Sequence, residues 1–538
     1  MRKFLAGEAT EEERNRLRAE LEADPSAAGE LFAAAELERD LGEVLRAARP
    51  RRRLWIAAAA AAGLLAASAY ALLGGSADLP RVELVEGMPE LVVGERLAAG
   101  SDLTARGRVV LRYDDGTRVE LGAKTTLRDL GKDKSMVLER GTLSADVAKQ
   151  REGRPMVIRT PQGEATIVGT RFRLAVKSGS TRLDVEEGKV RLTRLADRAS
   201  VDVISGHFAV AAPGAAPVAL ALRPGSWLSV PGTAMAQVVP DPKKFPKVQG
   251  TSGPHAVVGA WSGAAFDRKR SRLVLWGGGY SDYHGNELYA FSTETLTWER
   301  LTDPTPEPSL NREKNADGTP NARATYNGLA YVGHADRFFG IGGALAGTGG
   351  ARTPWTFDFE SKKWTAGAPA PSGGLGGACA YDPATRKIWW GDGTGLYSHD
   401  LEAGTWTKHG DDPFYYQTAA IDTKRGRLVC VGGEAIFSYD VRNGRPVRTA
   451  WKTTGGETVV RASNPGLDYD PVRDRLVAWA GGPVFTLDPE TRTWTSTNAP
   501  NAPPPTQWGI FGRWRYVPSL DAFVVVTAID QNVHFYKP

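Results

Sequence analysis

Apolar and polar positions change their period along this chain, and each change marks a different kind of element. Up to residue 48 the spacing is helical. Leu17 and Leu21 share a face behind a Thr10–Glu13 capping box, and Leu31, Leu37, Leu41, Val44 and Leu45 form a stripe on a second helix opened by Asp24-Pro25. Residues 54–73 then read LWIAAAAAAGLLAASAYALL, twenty positions without a charge. At about 1.5 Å per helical residue this crosses a hydrocarbon core of about 30 Å, which predicts a transmembrane helix over 54–74. From residue 81 the period falls to two. Thr117–Leu121, Phe172–Val176 and Val190–Leu192 alternate between turn signals at Asp115-Gly116, Arg140-Gly141, Pro161–Gly163, Glu187-Gly188 and Ser205-Gly206. That pattern predicts an all-β domain over 81–222.

Beyond about residue 240 the chain repeats itself. Units such as 378–408, 419–444 and 466–496 each give a short strand, a turn, an apolar strand, a third strand and a fourth led by tryptophan. Trp298, Trp364, Trp406, Trp451 and Trp494 mark the fourth strands, the last three intervals being 42–45 residues. Four strands at that period predict a propeller, and six units can be counted over 240–538. The sixth stops after its third strand, at Tyr536, so Phe245–Gly250 is expected to supply its outer strand and close the ring. The fold class is therefore mainly β, with a small helical head over 1–53, one membrane helix, an all-β domain and a six-bladed propeller.

Charge fixes an orientation. Arg46, Arg49, Arg51, Arg52 and Arg53 crowd one end of the apolar segment, while the other begins Gly74-Gly75-Ser76. Clustered Arg on one flank predicts that the head stays in the cytoplasm and the remainder lies outside, in the periplasm, on a single-pass inner membrane protein. A cleaved signal peptide is the alternative, but about fifty residues precede the segment. The head is acidic, with seven Lys/Arg against twelve Asp/Glu over residues 1–48. Its two short helices either pack on themselves or dimerise, or else dock a partner through Leu31, Leu37, Leu41 and Leu45. A net charge of +5 on 538 residues gives no reason to expect nucleic acid. Cys379 and Cys430 are the only cysteines, leaving one disulfide or two buried thiols.

The segments DGTRVELGAKTTLR (115–128), LERGTLSADV (138–147), TPQGEATIVGTRFRLAV (160–176), TRLDVEEGKVRLT (181–193) and VDVISGH (201–207) resemble the FecR domain of envelope signalling regulators. The resemblance implies a transmembrane regulator of anti-sigma type, relaying an outside cue to a cytoplasmic sigma factor of the extracytoplasmic-function class. It carries no catalytic residues and implies no cofactor or metal. Unlike the iron-uptake members, this head has no tryptophan before Trp55. The Gly-Gly pairs at 277–278, 342–343, 432–433 and 481–482, with the trailing tryptophans, resemble Kelch repeats. The histidines scatter across units without the recurring arrangement of a copper oxidase, so a non-enzymatic propeller is expected, one that binds a ligand or protein.

Long segments at 279–286, 302–321 and 344–354 fall on one face of such a propeller, and binding is expected there, with Asp282, Tyr283, His284 and Arg352 as candidates. The opposite face carries short basic turns such as Asp267–Arg272 and Asp422–Arg427, whose charges are expected simply to solvate hairpins. A membrane-tethered propeller acting wholly outside, as a carbohydrate- or protein-binding scaffold or an enzyme, is the other reading.

Overall fold

Alternation of buried and exposed side chains runs through the strands of residues 81–211, and it builds two layers over one core. The computed structural model describes residues 78–538 apart from 178, 215, 347, 348 and 443. The expected head with Leu31, Leu37, Leu41 and Leu45, the arginines 49 and 51–53, and the expected span at 54–74 all lie outside the described residues. Among the described residues no helix is long and apolar enough to cross a membrane.

Thirteen strands between Arg81 and Ala211 form the first domain. The strand Ser135–Asp146 belongs to both layers: Ser135–Val137 runs parallel to Met156–Arg159, while Gly141–Asp146 pairs antiparallel with Arg171–Val176. Arg140-Gly141, expected to be a turn, is instead the bend inside this strand. Gly141 sits at φ +95°, and a Cβ there would lie 2.5 Å from the Thr125 backbone. A hairpin turn would have ended the strand; the bend lets it cross between layers. Phe172, Leu174 and Val176 from one layer meet Ile158, Ile167 and Leu192 from the other in a single apolar core.

The remainder is six four-stranded antiparallel sheets, the blades of a propeller. Five are contiguous in sequence. The sixth joins Arg515–Val517, Ala522–Val525 and Val533–Lys537 to an outer strand, Ser226–Val230, from the chain before the first blade. The ring is thus closed by pairing its two ends, which leaves no blade a strand short. The closing segment is not the one expected. Phe245–Gly250 contains a 3-10 turn at Pro246–Val248, with Val248 buried beside blade one, where its carbonyl accepts the His284 N–H at 2.8 Å. Pro246 has no amide proton for a strand ladder, whereas Ser226–Val230 can pair fully. The blade tryptophans explain the choice. Trp298, Trp364, Trp406 and Trp494 stand opposite Phe291, Phe357, His399 and Leu487, each the penultimate residue of a third strand. Trp227 stands opposite Tyr536 in the same slot. In blade four Arg448 takes that slot, and Trp451 falls one residue beyond the strand.

The basic turns do more than solvate hairpins. Arg270 at the end of blade one holds Asp336 of blade two through two bonds of 2.7 and 2.8 Å, while Tyr331 donates to the same carboxylate at 2.9 Å. Arg425 grips Asp474 at 2.7 and 2.8 Å with Tyr469, and Arg473 grips Asp521 at 2.7 Å twice with Tyr516. Each arginine also bonds the aspartate that ends its own innermost strand, Asp267, Asp422 or Asp470, all three fully buried. These fork-to-carboxylate pairs tie blades one to two, four to five and five to six. Between blades two and three the pair is replaced by His334 and the Tyr381 hydroxyl, 2.8 Å apart.

Candidate functional site

The innermost strands have one register. Asp267, Val332, Asp382, Asp422, Asp470 and Val517 are their last residues, each paired across an identical four-residue turn. Equivalent positions therefore stack around the axis in layers of six, and the two ends of that stack differ in chemistry.

At the end facing the long loops, the layer is Trp261, Tyr326, Gly376, Tyr416, Asn464 and Phe511. All six have positive φ, from 44° to 68°. For bulky aromatic residues this backbone is strained, at about 1–3 kcal/mol each, and it persists only where the surroundings impose it. The imposition is visible in the backbone. Tyr326 N–H bonds the Trp261 carbonyl at 2.6 Å, Asn464 N–H that of Tyr416 at 2.8 Å, and Phe511 N–H that of Asn464 at 3.1 Å. Turning the carbonyl toward the next blade is what the left-handed conformation achieves. Gly433 makes room: a Cβ there would sit 2.5 Å from the Tyr415 carbonyl oxygen. The result is an aromatic collar. Trp508 stacks on Trp261 with centroids 4.7 Å apart, and Tyr280, Tyr416 and Trp508 remain 47%, 58% and 42% exposed.

Of the four residues expected to bind on this face, one is turned away from solvent. Tyr283 is fully buried and donates its hydroxyl to Glu287 at 2.7 Å, so it presents nothing to solvent. Tyr289 donates to the same oxygen at 2.6 Å, and burial raises the Glu287 carboxyl above its ordinary range. The Asp282 carbonyl caps the chain at Ser252 and Gly253, and His284 is partly buried, which lowers its pKa. Arg352 is exposed; its Nε donates to the Ala370 carbonyl at 3.0 Å, and its backbone N–H bonds Glu313. The contacts of Asp282, Tyr283 and His284 share no partner with those of Arg352. Sequence reasoning passed over the collar instead. Its signal is an aromatic residue just before the innermost strand in WSG (261–263), YNG (326–328), YQT (416–418) and FGR (511–513).

At the opposite end, among the short basic turns, lies a cavity of about 350 Å³. One layer of its wall is Ala265, Ala330, Ala380, Ala420, Asp468 and Arg515. Four alanines leave the space that larger residues would fill. Cys379 lines it as a buried thiol, its pKa pushed up to about 12 by burial; Cys430 is likewise free and buried, not bonded to it.

Residues 103–191 match the family model described as FecR protein, so the first domain carries a FecR domain. No curated protein matches the chain. Among solved structures, two crystal structures of a candidate anti-sigma factor from Parabacteroides distasonis ATCC 8503 are similar at 17% and 16% identity. They cover 25% and 26% of this chain and 70% of theirs, with TM-scores of 0.21 and 0.20. A likeness at that level carries no argument about function.

Proposed function

We propose that this protein is a non-enzymatic, single-pass regulator of the inner membrane whose propeller senses a ligand or partner outside the cytoplasm. Its acidic head then docks a cytoplasmic sigma factor of the extracytoplasmic-function class through Leu31, Leu37, Leu41 and Leu45. The FecR match supports a signalling role, and the Gly-Gly and tryptophan pattern supports a Kelch-like origin for the propeller. One observation carries the reading. The last strand of the FecR-type domain, His207–Ala211, sends Ala209 and Ala211 into its own core and Phe208 and Val210 into a core shared with the propeller. Whatever the propeller binds therefore acts on a body that includes the FecR domain.

The test is a pull-down of cytoplasmic proteins by the full chain and by a Leu37→Asp/Leu41→Asp variant. A buried unpaired carboxylate costs several kcal/mol, so the variant should lose a captured sigma factor, and the transcript levels of that factor's targets should change. If neither changes, the tethered extracytoplasmic propeller becomes the better account.

A further inference from the structure

We infer that the axial cavity at the short-turn end of the propeller is a binding site for a small organic acid, with Arg515 receiving its carboxylate. Arg515 is the only cation in the alanine layer. Its guanidinium reaches two backbone carbonyls, Leu467 at 3.5 Å and Ala264 at 3.4 Å, both at the outer limit of a hydrogen bond. No carboxylate of the described residues lies within ion-pair distance of it. Asp468, beside it in the same layer, accepts the Tyr469 and Tyr516 N–H groups at 2.9 Å each and acts on Arg515 only at longer range. Burial pulls the Arg515 pKa below its ordinary value, the mark of a cation whose desolvation is not fully offset.

Arg268 stands exposed at the mouth, which gives the site two cations against one carboxylate. The walls suit an apolar body. The hydroxyls of Tyr331 and Tyr469 are held by the inter-blade aspartates and that of Tyr381 by His334. A volume near 350 Å³ is at the small end of ligand pockets.

This inference deepens the reading of the propeller as a sensor, and rests on it only for its biological consequence. Binding is measured on purified protein, apart from any regulatory readout, so either can fail without the other. Calorimetric titration of the detergent-solubilised full chain would compare 3-phenylpropionate with its neutral amide. The acid should bind at least about tenfold tighter than the amide, a charge-assisted bidentate contact against a neutral one. Arg515→Met, close in volume and breaking no ion pair, should reduce the acid to the level of the amide. Ala380→Leu, which fills the cavity without touching Arg515, should abolish binding of both. Equal binding of acid and amide would overturn the proposal, as would wild-type acid binding by Arg515→Met or no acid binding at about 10 mM.

Discussion

Replacing Trp227 by alanine should open the propeller at its seam. Trp227 is 4% exposed, and its ring centroid lies 5.0 Å from Trp479, 5.6 Å from Trp514 and 5.3 Å from Tyr536. Truncating a buried Trp to Ala costs about 3–5 kcal/mol, and three aromatic neighbours place this one in the upper half of that range. The side chain also holds the one strand that joins the ends of the ring, so the loss falls on closure rather than on a local patch. Trp227→Phe separates packing from polarity. The Trp227 Nε1–H is buried without an acceptor, so phenylalanine removes an unsatisfied donor as it gives up area, and should stay within about 1.5 kcal/mol of wild type. The assay is guanidinium unfolding of the detergent-solubilised chain followed by far-UV circular dichroism, which does not depend on the deleted tryptophan. A Trp227→Ala cost below about 1 kcal/mol, or equal costs for the two variants, would refute the closure argument.

The inter-blade clamps predict acid sensitivity. The guanidinium forks hold the Asp336, Asp474 and Asp521 carboxyls well below the ordinary range, so their stabilisation is complete above the unfolded pKa of about 3.9 and is lost as pH falls through their folded values. Unfolding midpoints should therefore drop steeply below about pH 4, and a flat profile from pH 7 to 3 would contradict this. Arg425→Met strands Asp422, which is fully buried, and should cost about 2–4 kcal/mol at pH 7, less than a wholly buried pair because Asp474 is 24% exposed. For the proposed topology, a reporter active only outside the cytoplasm should work when fused after Ser76 and be silent at Arg49. Neutralising Arg51–Arg53 should weaken that bias, and activity at both fusion points would rule out a single span.

Much of the fold was legible because its signals are local. Period-two alternation and Gly turns marked most of the first domain's hairpins, and repetition marked the blades. What escaped depended on register or distance. Arg140-Gly141 has the composition of a turn, and only the pairing of Ser135–Asp146 with strands of both layers shows it as a bend. The closing strand is expected beside the first blade, yet the clue lies in Ser226-Trp227, the same polar-Trp step that opens the strands at 297, 363, 405 and 493. The basic turns have the composition of solvated hairpins because the aspartates they grip lie 48 to 66 residues further along the chain. Among the candidate residues, the burial of Tyr283 escaped for a related reason: loop length marks a face but does not say which side chains turn inward, and Tyr283 does.

The junction between the FecR domain and the propeller limits how a signal can travel. Phe208 and Val210 are buried with Leu220, Phe291, Leu296 and Phe535, and the Phe208 and Leu220 backbones exchange two hydrogen bonds, of 2.8 and 2.7 Å. Arg182 lies 3.9 Å over the Phe208 ring, and Lys177 pairs with Glu294 of blade one at 2.8 Å. At about 1.5–3 kcal/mol for each large apolar side chain, withdrawing Phe208 and Val210 alone exposes roughly 3–6 kcal/mol of burial before any polar contact is counted. A hinge opened against 5 kcal/mol is populated at about one part in several thousand, and a ligand would need that much differential affinity to drive it. Relative rocking of the two domains is therefore a poor carrier for a cue. A body joined in this way passes on binding by moving, or by being held, as a whole.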